Sequence, residues 1–595
     1  MLASLLSTLV ISTPSLGDDL NDLTAEEPAA RQDDSAPREG QPVGDVFTRQ
    51  RPGDDPRPTR FPTYIYESIP NINSSASDFV PVRDRWHMFY AGKWYDPYNQ
   101  NTLKGDLPLF GSPGHEWFLE LSLISDTVLA RNKIPFPVGF ASTNSADSTD
   151  QFGNGLITGF NQNIIPAFAL IRGNTTFKPP EIELRFVPVI NFNHVNADEQ
   201  GALRIDPGQS TTRDDFHLGF QELFLDYHLG NLTDRYDFVS TRVGIQRFVS
   251  DFRGFIYSDD QPGARLFGNF GNNRYQYNLA AFDRLDKDTN SLLNTTFSRR
   301  HEQVYVANAF RQDTFVLGHQ MQASILHRTD TAGGEGLHFD QNGFLVRPAN
   351  LGDERFKNVY STYFGLNGDG HFGRLNTTSS FYYVTGSESH NPIAERSVDI
   401  SATMAALELS YDINWIRPRF SMFYASGDGD PFDSKAGGFD AIFDNPNFAG
   451  GDLGYFQRQG IPLIGGGGVN LTNPQSLLPD LKAGKSEGQA NFVNPGIRLV
   501  NVGMDFEVLP ELKIITNASY LWFDEVAVLE TLRQDGSFDR EIGYDLSIGG
   551  IYRPFLNNNV QFRFGTATLI VDDGFENLFG DKVLYDFFGN MILQY

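Results

Sequence analysis

Apolar and polar residues alternate along much of this chain, most clearly between Ser401 and Asp433. One arm of this stretch places apolar side chains on a single face, namely Leu407, Leu409, Tyr411 and Ile413. A second arm follows Trp415 and Ile416 and repeats the pattern with Phe420, Met422 and Tyr424. A period of two residues is that of a β-strand. The stretch therefore predicts a hairpin with one apolar and one polar, charged face.

Similar alternating runs recur from Trp117 to the end of the chain and number about eighteen. The first is predicted over 117–123, and the second starts at about Asn161 after a long loop. Connections alternate between short turns and long loops, of which 427–495 is the longest and is rich in Gly, Asp, Asn and Pro. This arrangement predicts an all-β fold, a transmembrane antiparallel β-barrel with short periplasmic turns and long extracellular loops. Long outer loops of such a barrel are candidates to fold into its pore.

Composition agrees with a large barrel that has two unlike faces. Of the 595 residues, 40% are hydrophobic, 13% are aromatic and 57 are Gly. A soluble multi-domain β protein is the alternative, but it gives no reason for every long loop to lie on one side. No run of about eighteen apolar residues occurs, which excludes a helical membrane span. The chain has no Cys, as is common in envelope proteins that avoid disulfide chemistry.

Charge narrows the possible partners. The formal net charge of −27 argues against nucleic acid, because phosphate binding needs clustered Lys and Arg. It leaves room for a small polar or anionic solute, since a lumen can be basic inside an acidic protein. The last alternating run ends on Tyr595, which resembles the signal that bacterial barrel assembly machinery recognises. We therefore expect a Gram-negative outer membrane location, reached through the periplasm, with outer membrane lipid as a partner.

The chain divides into four predicted parts. Residues 1–17 are predicted to be the remnant of a signal peptide, because an apolar run precedes small residues. Residues 18–60 are predicted to be a disordered leader, poor in apolar side chains. Residues 61–115 are rich in aromatic and turn residues and form either an ordered segment under or inside the barrel or an extended approach to it. The barrel is predicted over 116–595.

Arginine dominates the basic residues assigned to the polar faces of the strands. The candidate solute-binding residues of the lumen are Arg185, Arg242, Arg274, Arg417, Arg419 and Arg563. Guanidinium groups are always charged and bind carboxylates and phosphates with paired hydrogen bonds. The alternative is that these residues pair with carboxylates on neighbouring strands and stiffen the barrel, the candidates being Glu183, Asp505, Glu507 and Asp545.

Two stretches resemble the alginate-export family of outer-membrane barrels. The first is the strand that ends in 424–428, Tyr-Ala-Ser-Gly-Asp, followed by 430–433, Asp-Pro-Phe-Asp. The second is the strand with Arg242, Gly244, Gln246 and Arg247, in which Ile245 stands where the family pattern has Arg. The resemblance implies an eighteen-stranded barrel with a basic pore.

Other candidate chemistry is weak. Asp428, Asp430 and Asp433 supply hard oxygen ligands for Ca²⁺ but lack the spacing of an EF-hand, so a solvated turn is the alternative. His319 and Ser324 lie in opposite phases of their strand and do not form a nucleophile and base pair. We therefore predict no enzyme and no cofactor other than this possible Ca²⁺.

Two functions remain open from the sequence. The first is a porin-like channel for passive passage of small polar or anionic solutes or carbohydrates, with a lumen lined by Arg. The second is a receptor or adhesion barrel whose lumen is plugged by 61–115 and whose loop 427–495 binds a partner.

Overall fold

The computed structural model describes residues 102–112, 114–139, 150–173, 179–206, 208–235, 237–331, 336–465 and 468–595. The predicted signal-peptide remnant, the predicted leader and residues 61–101 of the aromatic segment lie outside these ranges.

Eighteen long antiparallel strands form one closed barrel, which confirms the predicted fold. The strands are β1 (Trp117–Lys133), β2 (Leu156–Arg172), β3 (Ile182–Ala197), β4 (Thr212–Asn231), β5 (Phe238–Val249), β6 (Ser258–Phe270), β7 (Tyr275–Lys287), β8 (Asn294–Arg311), β9 (His319–Asp330), β10 (Val359–Phe372), β11 (Leu375–Asn391), β12 (Arg396–Tyr411), β13 (Ile416–Ala425), β14 (Ile497–Leu509), β15 (Leu512–Phe523), β16 (Glu541–Tyr552), β17 (Val560–Val571) and β18 (Leu584–Gln594). Each strand pairs with its neighbours in sequence, and β18 pairs with β1.

The seam between the first and last strands is completed by a third segment. Pairing of β1 with β18 runs from Lys133 opposite Tyr585 to Ile124 opposite Gln594. The first residues of β1 extend beyond the end of β18, and residues 103–110 lie against them through backbone hydrogen bonds. The Lys104 ammonium also lies 4.0 Å from the centre of the Tyr595 ring. The edge of β1 is thereby covered along its whole length, which removes an open sheet edge.

The barrel has two unlike ends. At the turn end the strands are joined by 173–181, 232–237, 271–274, 312–318, 373–374, 412–415, 510–511 and 553–559. At the loop end the connections are 134–155, 198–211, 250–257, 288–293, 331–358, 392–395, 426–496, 524–540 and 572–583. The prediction of strictly long loops at one end is wrong for 288–293 and 392–395, which are as short as the turns opposite.

Several strands extend further toward the loop end than predicted. Strand β1 continues from 123 to Lys133, and β2 starts at Leu156 rather than near Asn161. The reason is that the polarity of the two faces changes along a strand. On β12 the inward residues near the loop end are apolar and buried, whereas the outward residues beside them are polar. Near the turn end Glu408 faces inward and Leu407 outward, as predicted.

The connection 426–496 explains the apolar inner face, because it folds into the barrel. Nearly all of its residues from Ala436 onward are buried, and they form one hydrophobic core with the inner wall. We call residues 427–495 the inner loop. Its apolar members include Phe439, Ile442, Phe448, Phe456, Leu471, Leu478 and Phe492. The sequence analysis named the long loops as candidates to fold into the barrel, and this loop does lie within the lumen.

Short elements complete the connections. The helices are α1 (Tyr455–Arg458), α2 (Ala527–Arg533) and α3 (Asp573–Phe579), with a 3-10 turn at Gly451–Leu453. Two- and three-residue strands occur at His338–Phe339, Leu345–Arg347, Lys435–Ala436, Ile461–Pro462 and Asn470–Thr472. Among the described residues, none of the helices has the length and apolar character needed to cross a membrane.

Gly496 marks the point where the inner loop returns to the wall, and it supplies a test of the fold. Its φ of 59° is in the left-handed region, and an added Cβ would lie 2.4 Å from the Gly427 nitrogen. We expect Gly496→Ala to destabilise the inner loop by more than about 1 kcal/mol, because an L side chain there is strained and meets backbone. Hydrogen exchange of the refolded full-length chain should show faster exchange across 427–495.

Gly484→Ala is the matched control, since it lies in the same loop and its Cβ would meet nothing within 4 Å. Equal exchange rates in the two variants would contradict the assigned strain at Gly496.

Candidate functional site

Ion pairs line the inner wall near the turn end of β3, β4 and β5. Asp226 and Arg242 are cross-strand neighbours on the inward face, and the guanidinium lies 2.9 Å from the carboxylate. Arg185 lies 2.7 Å from Glu222 and 3.4 Å from Glu183. The alternating pattern of these strands therefore places charges of both signs side by side in the lumen.

A second charged group lies on β13, β14 and β15. Arg419 contacts Asp505 at 3.4 Å and donates to Asn517 at 2.5 Å. Lys513 reaches the same Asp505 at 3.0 Å. Glu507 lies 3.8 Å from the same lysine, so this part of the wall holds two cations and two carboxylates.

The cations of these pairs are more accessible than their carboxylates. Arg242 is 22% exposed and its partner Asp226 6%. Arg419 and Lys513 are likewise each more exposed than Asp505. At Arg242 and Arg419 the guanidinium group is therefore more accessible than the carboxylate that it pairs with, whereas Glu507 is more exposed than Lys513.

The inward connection 250–257 adds another arginine to the lumen. The Asp251 carboxylate accepts hydrogen bonds from the backbone N–H groups of residues 253–256, which folds the chain into a tight turn. Arg253 then reaches across to Thr378 at 2.7 Å and Glu408 at 3.2 Å. Arg253 is 25% exposed and Glu408 10%, so here too the cation is the more accessible partner.

Connection 250–257 and the inner loop support each other. The backbone N–H groups of Ile442 and Phe443 donate to the Ile256 carbonyl, and that of Asn445 donates to Gly254. The Glu408 carboxylate accepts from Ala449 N at 3.1 Å. Arg253 is thereby fixed between the wall and the inner loop.

A fully buried cluster ties the inner loop to β7, β8 and β9. Glu302 lies 2.7 Å from Arg284, 2.5 Å from Arg300 and 2.8 Å from Arg328. Arg300 also donates to the carbonyl oxygens of Ser486 and Gly488. Buried charges are tolerated only when they are paired and hydrogen-bonded, so this cluster depends on Glu302.

Further contacts hold the inner loop around most of the wall. Lys482 lies 2.6 Å from Asp440, and the Asp440 carbonyl accepts from the Tyr363 hydroxyl of β10. The Asp545 carboxylate of β16 accepts from the backbone N–H groups of α1. The inner loop also meets Lys133, Asn391 and Asp586. It is therefore an integral part of the barrel interior.

The six predicted arginines separate into three groups. Arg185, Arg242 and Arg419 lie on the inner wall with carboxylate partners. Arg563 is also inward, and it interacts electrostatically with Asp126. Arg417 lies near the rim and pairs with Asp412 at 2.5 Å. Arg274 is an exposed residue of the turn 271–274 and does not lie on the wall, because the strand starts one residue later.

The predicted carboxylate partners are partly confirmed. Glu183 and Asp505 pair with arginines, and Glu507 lies 3.8 Å from Lys513. Asp545 instead binds the N-terminus of α1, which the sequence did not suggest.

Arginines that the sequence analysis did not single out include Arg253, Arg265, Arg284, Arg300 and Arg328. Arg253 lies in a connection between strands, so the alternation of inward and outward residues does not predict the direction of its side chain. The signal available was composition: 250–257 carries Phe252, Phe255 and Tyr257, which is unusual for a solvated loop.

The three candidate Ca²⁺ ligands are used as local hydrogen-bond acceptors. Asp428 accepts from Asp430 N and Gly437 N, Asp430 from Phe432 N, and Asp433 from Lys435 N. Across the part of the chain that the structure describes, no group of three or more His, Asp or Glu side chains could hold a metal ion. The turn is only partly solvated, because Asp428 is buried whereas Asp430 is exposed.

Replacing Glu302 tests the buried cluster. We expect Glu302→Gln to lower the free energy of unfolding by about 3–5 kcal/mol, because three buried guanidinium groups lose the carboxylate that they share and keep only the longer contacts with Asp259 and Asp330. The measurement is guanidinium-induced unfolding of the detergent-refolded chain, followed by Trp fluorescence. Asp353→Asn is the control, since its partner Arg355 is exposed and the loss should stay below about 1 kcal/mol. Similar losses in both variants would contradict the role of Glu302.

The inner loop should also depend on pH through Glu487. Burial, aided by nearby Asp340, raises the pKa of Glu487 from 4.5 to about 8, and burial raises that of Asp480. Because the folded pKa is raised, the stabilising contribution is complete below the unfolded pKa and is lost as pH rises through the folded one. Hydrogen-exchange protection of 480–490, corrected for intrinsic rates, should fall as the pH rises from about 5 to about 8 and then level off.

Glu487→Gln should remove much of this fall, since the amide stays neutral. Glu395→Gln, at an exposed position outside the inner loop, should leave it unchanged. An unaltered pH response in Glu487→Gln would show that Glu487 does not titrate in this range.

Comparison with known proteins found no matching family model and no matching curated relative. Solved structures similar to this chain include OccK9 (OpdG) of Pseudomonas aeruginosa, with 10% identity, a TM-score of 0.44, and coverage of 80% of this chain and 98% of that one. The BenF-like porin of Pseudomonas fluorescens Pf-5 has 9% identity, a TM-score of 0.43 and coverage of 80% and 98%. OccK5 (OpdH) of P. aeruginosa has 10% identity, a TM-score of 0.40 and coverage of 80% and 97%. The fold assigned above follows from this chain's own strand pairing.

Proposed function

We propose that this barrel spans a Gram-negative outer membrane and is a passive channel for small anionic solutes. The inner loop 427–495 sets its aperture. The observation that carries the proposal is the order of accessibility in the lumen, where Arg242, Arg253 and Arg419 are more exposed than their carboxylate partners.

The outer face supports a place in lipid. Exposed large apolar side chains point outward on strands all around the barrel, including Leu123, Leu225, Leu279, Ile325, Phe364, Met422, Val502, Ile548 and Phe587. A closed barrel satisfies its backbone groups between strands, which hydrocarbon requires. Apolar side chains outside and ionisable side chains inside are the arrangement of a membrane barrel with an aqueous lumen.

The charges inside suit a small anion that passes and does not stay. A carboxylate or phosphate would form charge-assisted hydrogen bonds with the accessible guanidinium groups. The carboxylates behind them limit the strength of that binding, which conduction requires. The resemblance to alginate-export barrels agrees with a basic pore, and membership of that family stays a prediction.

A second candidate is a barrel that is closed at rest. It is supported by the contacts of the inner loop with β8–β12, β16 and β18. The predicted partner-binding role of 427–495 is disfavoured, because those residues are largely buried. The proposed plug at 61–115 falls mostly outside the described residues.

Conductance of the refolded chain in planar bilayers separates these candidates. We expect stable openings with anion preference in reversal potentials. The triple variant Arg242→Gln, Arg253→Gln and Arg419→Gln should lose several-fold in the ratio of anion to cation permeability, because the accessible cations are gone.

The matched control is Arg299→Gln with Arg311→Gln and Arg355→Gln, which removes three exposed arginines outside the lumen. Equal selectivity in the two triple variants would overturn the basic-lumen proposal. A folded wild-type chain without conductance would favour the closed barrel.

A further inference from the structure

We infer that the outer face of the barrel carries a binding site for a membrane lipid with a phosphorylated headgroup. The site is a groove on β1 and β15–β18, near the loop end. This inference rests on the proposed membrane placement, and it concerns a surface that the channel does not use.

The groove consists of two adjoining cavities of about 940 Å³ and about 560 Å³. They share Arg131, Ile548, Thr566 and Phe587. All four are outward residues by strand phase, so the part that the two cavities share opens toward the surrounding lipid. The larger cavity is also lined by Asn517, Ser547 and Ala567, which belong to the inward phase of their strands.

Gly589 creates the depression. It is the outward residue of β18 between Leu129 of β1 and Phe564 of β17, as the strand register shows. These neighbours are large and exposed, whereas Gly589 has no side chain. A Cβ at Gly589 would meet nothing within 4 Å, so the space above it is open. An acyl chain is the shape and polarity that fit a narrow apolar groove within a lipid-facing wall.

Arg131 supplies the charge at the upper end of the groove. It is an exposed outward residue, and no ion pair joins it to any described carboxylate. With a rise of about 3.3 Å per residue and a tilt of about 40°, Arg131 lies roughly 35 Å above Trp117 at the turn end. That exceeds a hydrocarbon core of about 30 Å, so Arg131 reaches the headgroup level.

A second cation reinforces this end. Lys133 lies two residues beyond Arg131 on the same face of β1. An apolar groove below two cations is complementary to an amphiphile whose phosphate is attached to acyl chains. A free phosphate could contact the cations but would leave the apolar groove empty. A second copy of this chain would fit only if it placed a carboxylate next to Arg131, within the apolar outer face.

Native mass spectrometry of the full-length chain tests the inference, with diphosphoryl lipid A as the probe. The wild-type protein, refolded in detergent and mixed with lipid A, should retain a bound lipid. Gly589→Trp fills the groove, and Arg131→Ala removes the cation, so each should reduce the retained fraction several-fold. Arg131→Lys should restore part of it, because it keeps the charge.

The controls place the same changes on the far side of the barrel. Ala307→Trp adds bulk at an exposed outward position of β8, and Arg299→Ala removes an exposed arginine of the same strand. Both should retain lipid A at the wild-type level. Equal retention by Gly589→Trp and wild type would overturn the groove, and full competition by millimolar inorganic phosphate would overturn a lipid as the ligand.

Bilayer conductance of the same proteins keeps the two proposals apart. Gly589→Trp and Arg131→Ala should leave the reversal potential unchanged. Conductance with groove-independent lipid retention would overturn only the lipid site. Groove-dependent retention by a non-conducting barrel would overturn only the channel.

Discussion

Closure of the sheet is the constraint on which the rest of the structure depends. Backbone groups along a strand edge need hydrogen-bond partners. Here β18 pairs with β1, and residues 103–110 cover the part of β1 that β18 leaves exposed. Closure with eighteen strands makes a lumen too wide for wall side chains to fill. A wide lumen then needs either water or an inserted segment, and in this chain the inner loop is such a segment.

The inner loop packs against one part of the inner wall and leaves another part accessible. Near the loop end it packs apolar side chains against an apolar inner wall, and its remaining charges are paired in buried clusters such as that around Glu302. Nearer the turn end the wall is ionisable and partly accessible. Arg253 lies at the boundary, held by connection 250–257 and by Glu408. The constriction and the charged lumen are therefore two results of one insertion.

Much of the barrel could be predicted from alternation, because outward residues such as Leu407 and inward residues such as Arg242 obey a period of two. The ends of the strands could not be predicted in this way. The inward face becomes apolar where the inner loop packs against it, so the contrast between an apolar and a polar face is lost near Met404. Arg253 was missed because phase has no meaning in a connection. The abundance of Phe and Leu within 439–492 was the available sign that this loop is not solvated.

The path of the inner loop has a consequence for the order in which the protein assembles. It leaves the wall after β13 and returns at β14, yet it contacts Lys133 at the end of β1 and Asp586 of β18. Those two strands lie at opposite ends of the barrel sequence and become neighbours only when the seam forms. The loop can complete its native contacts only after the cylinder is shut, so the aperture is the last part of the molecule to take shape.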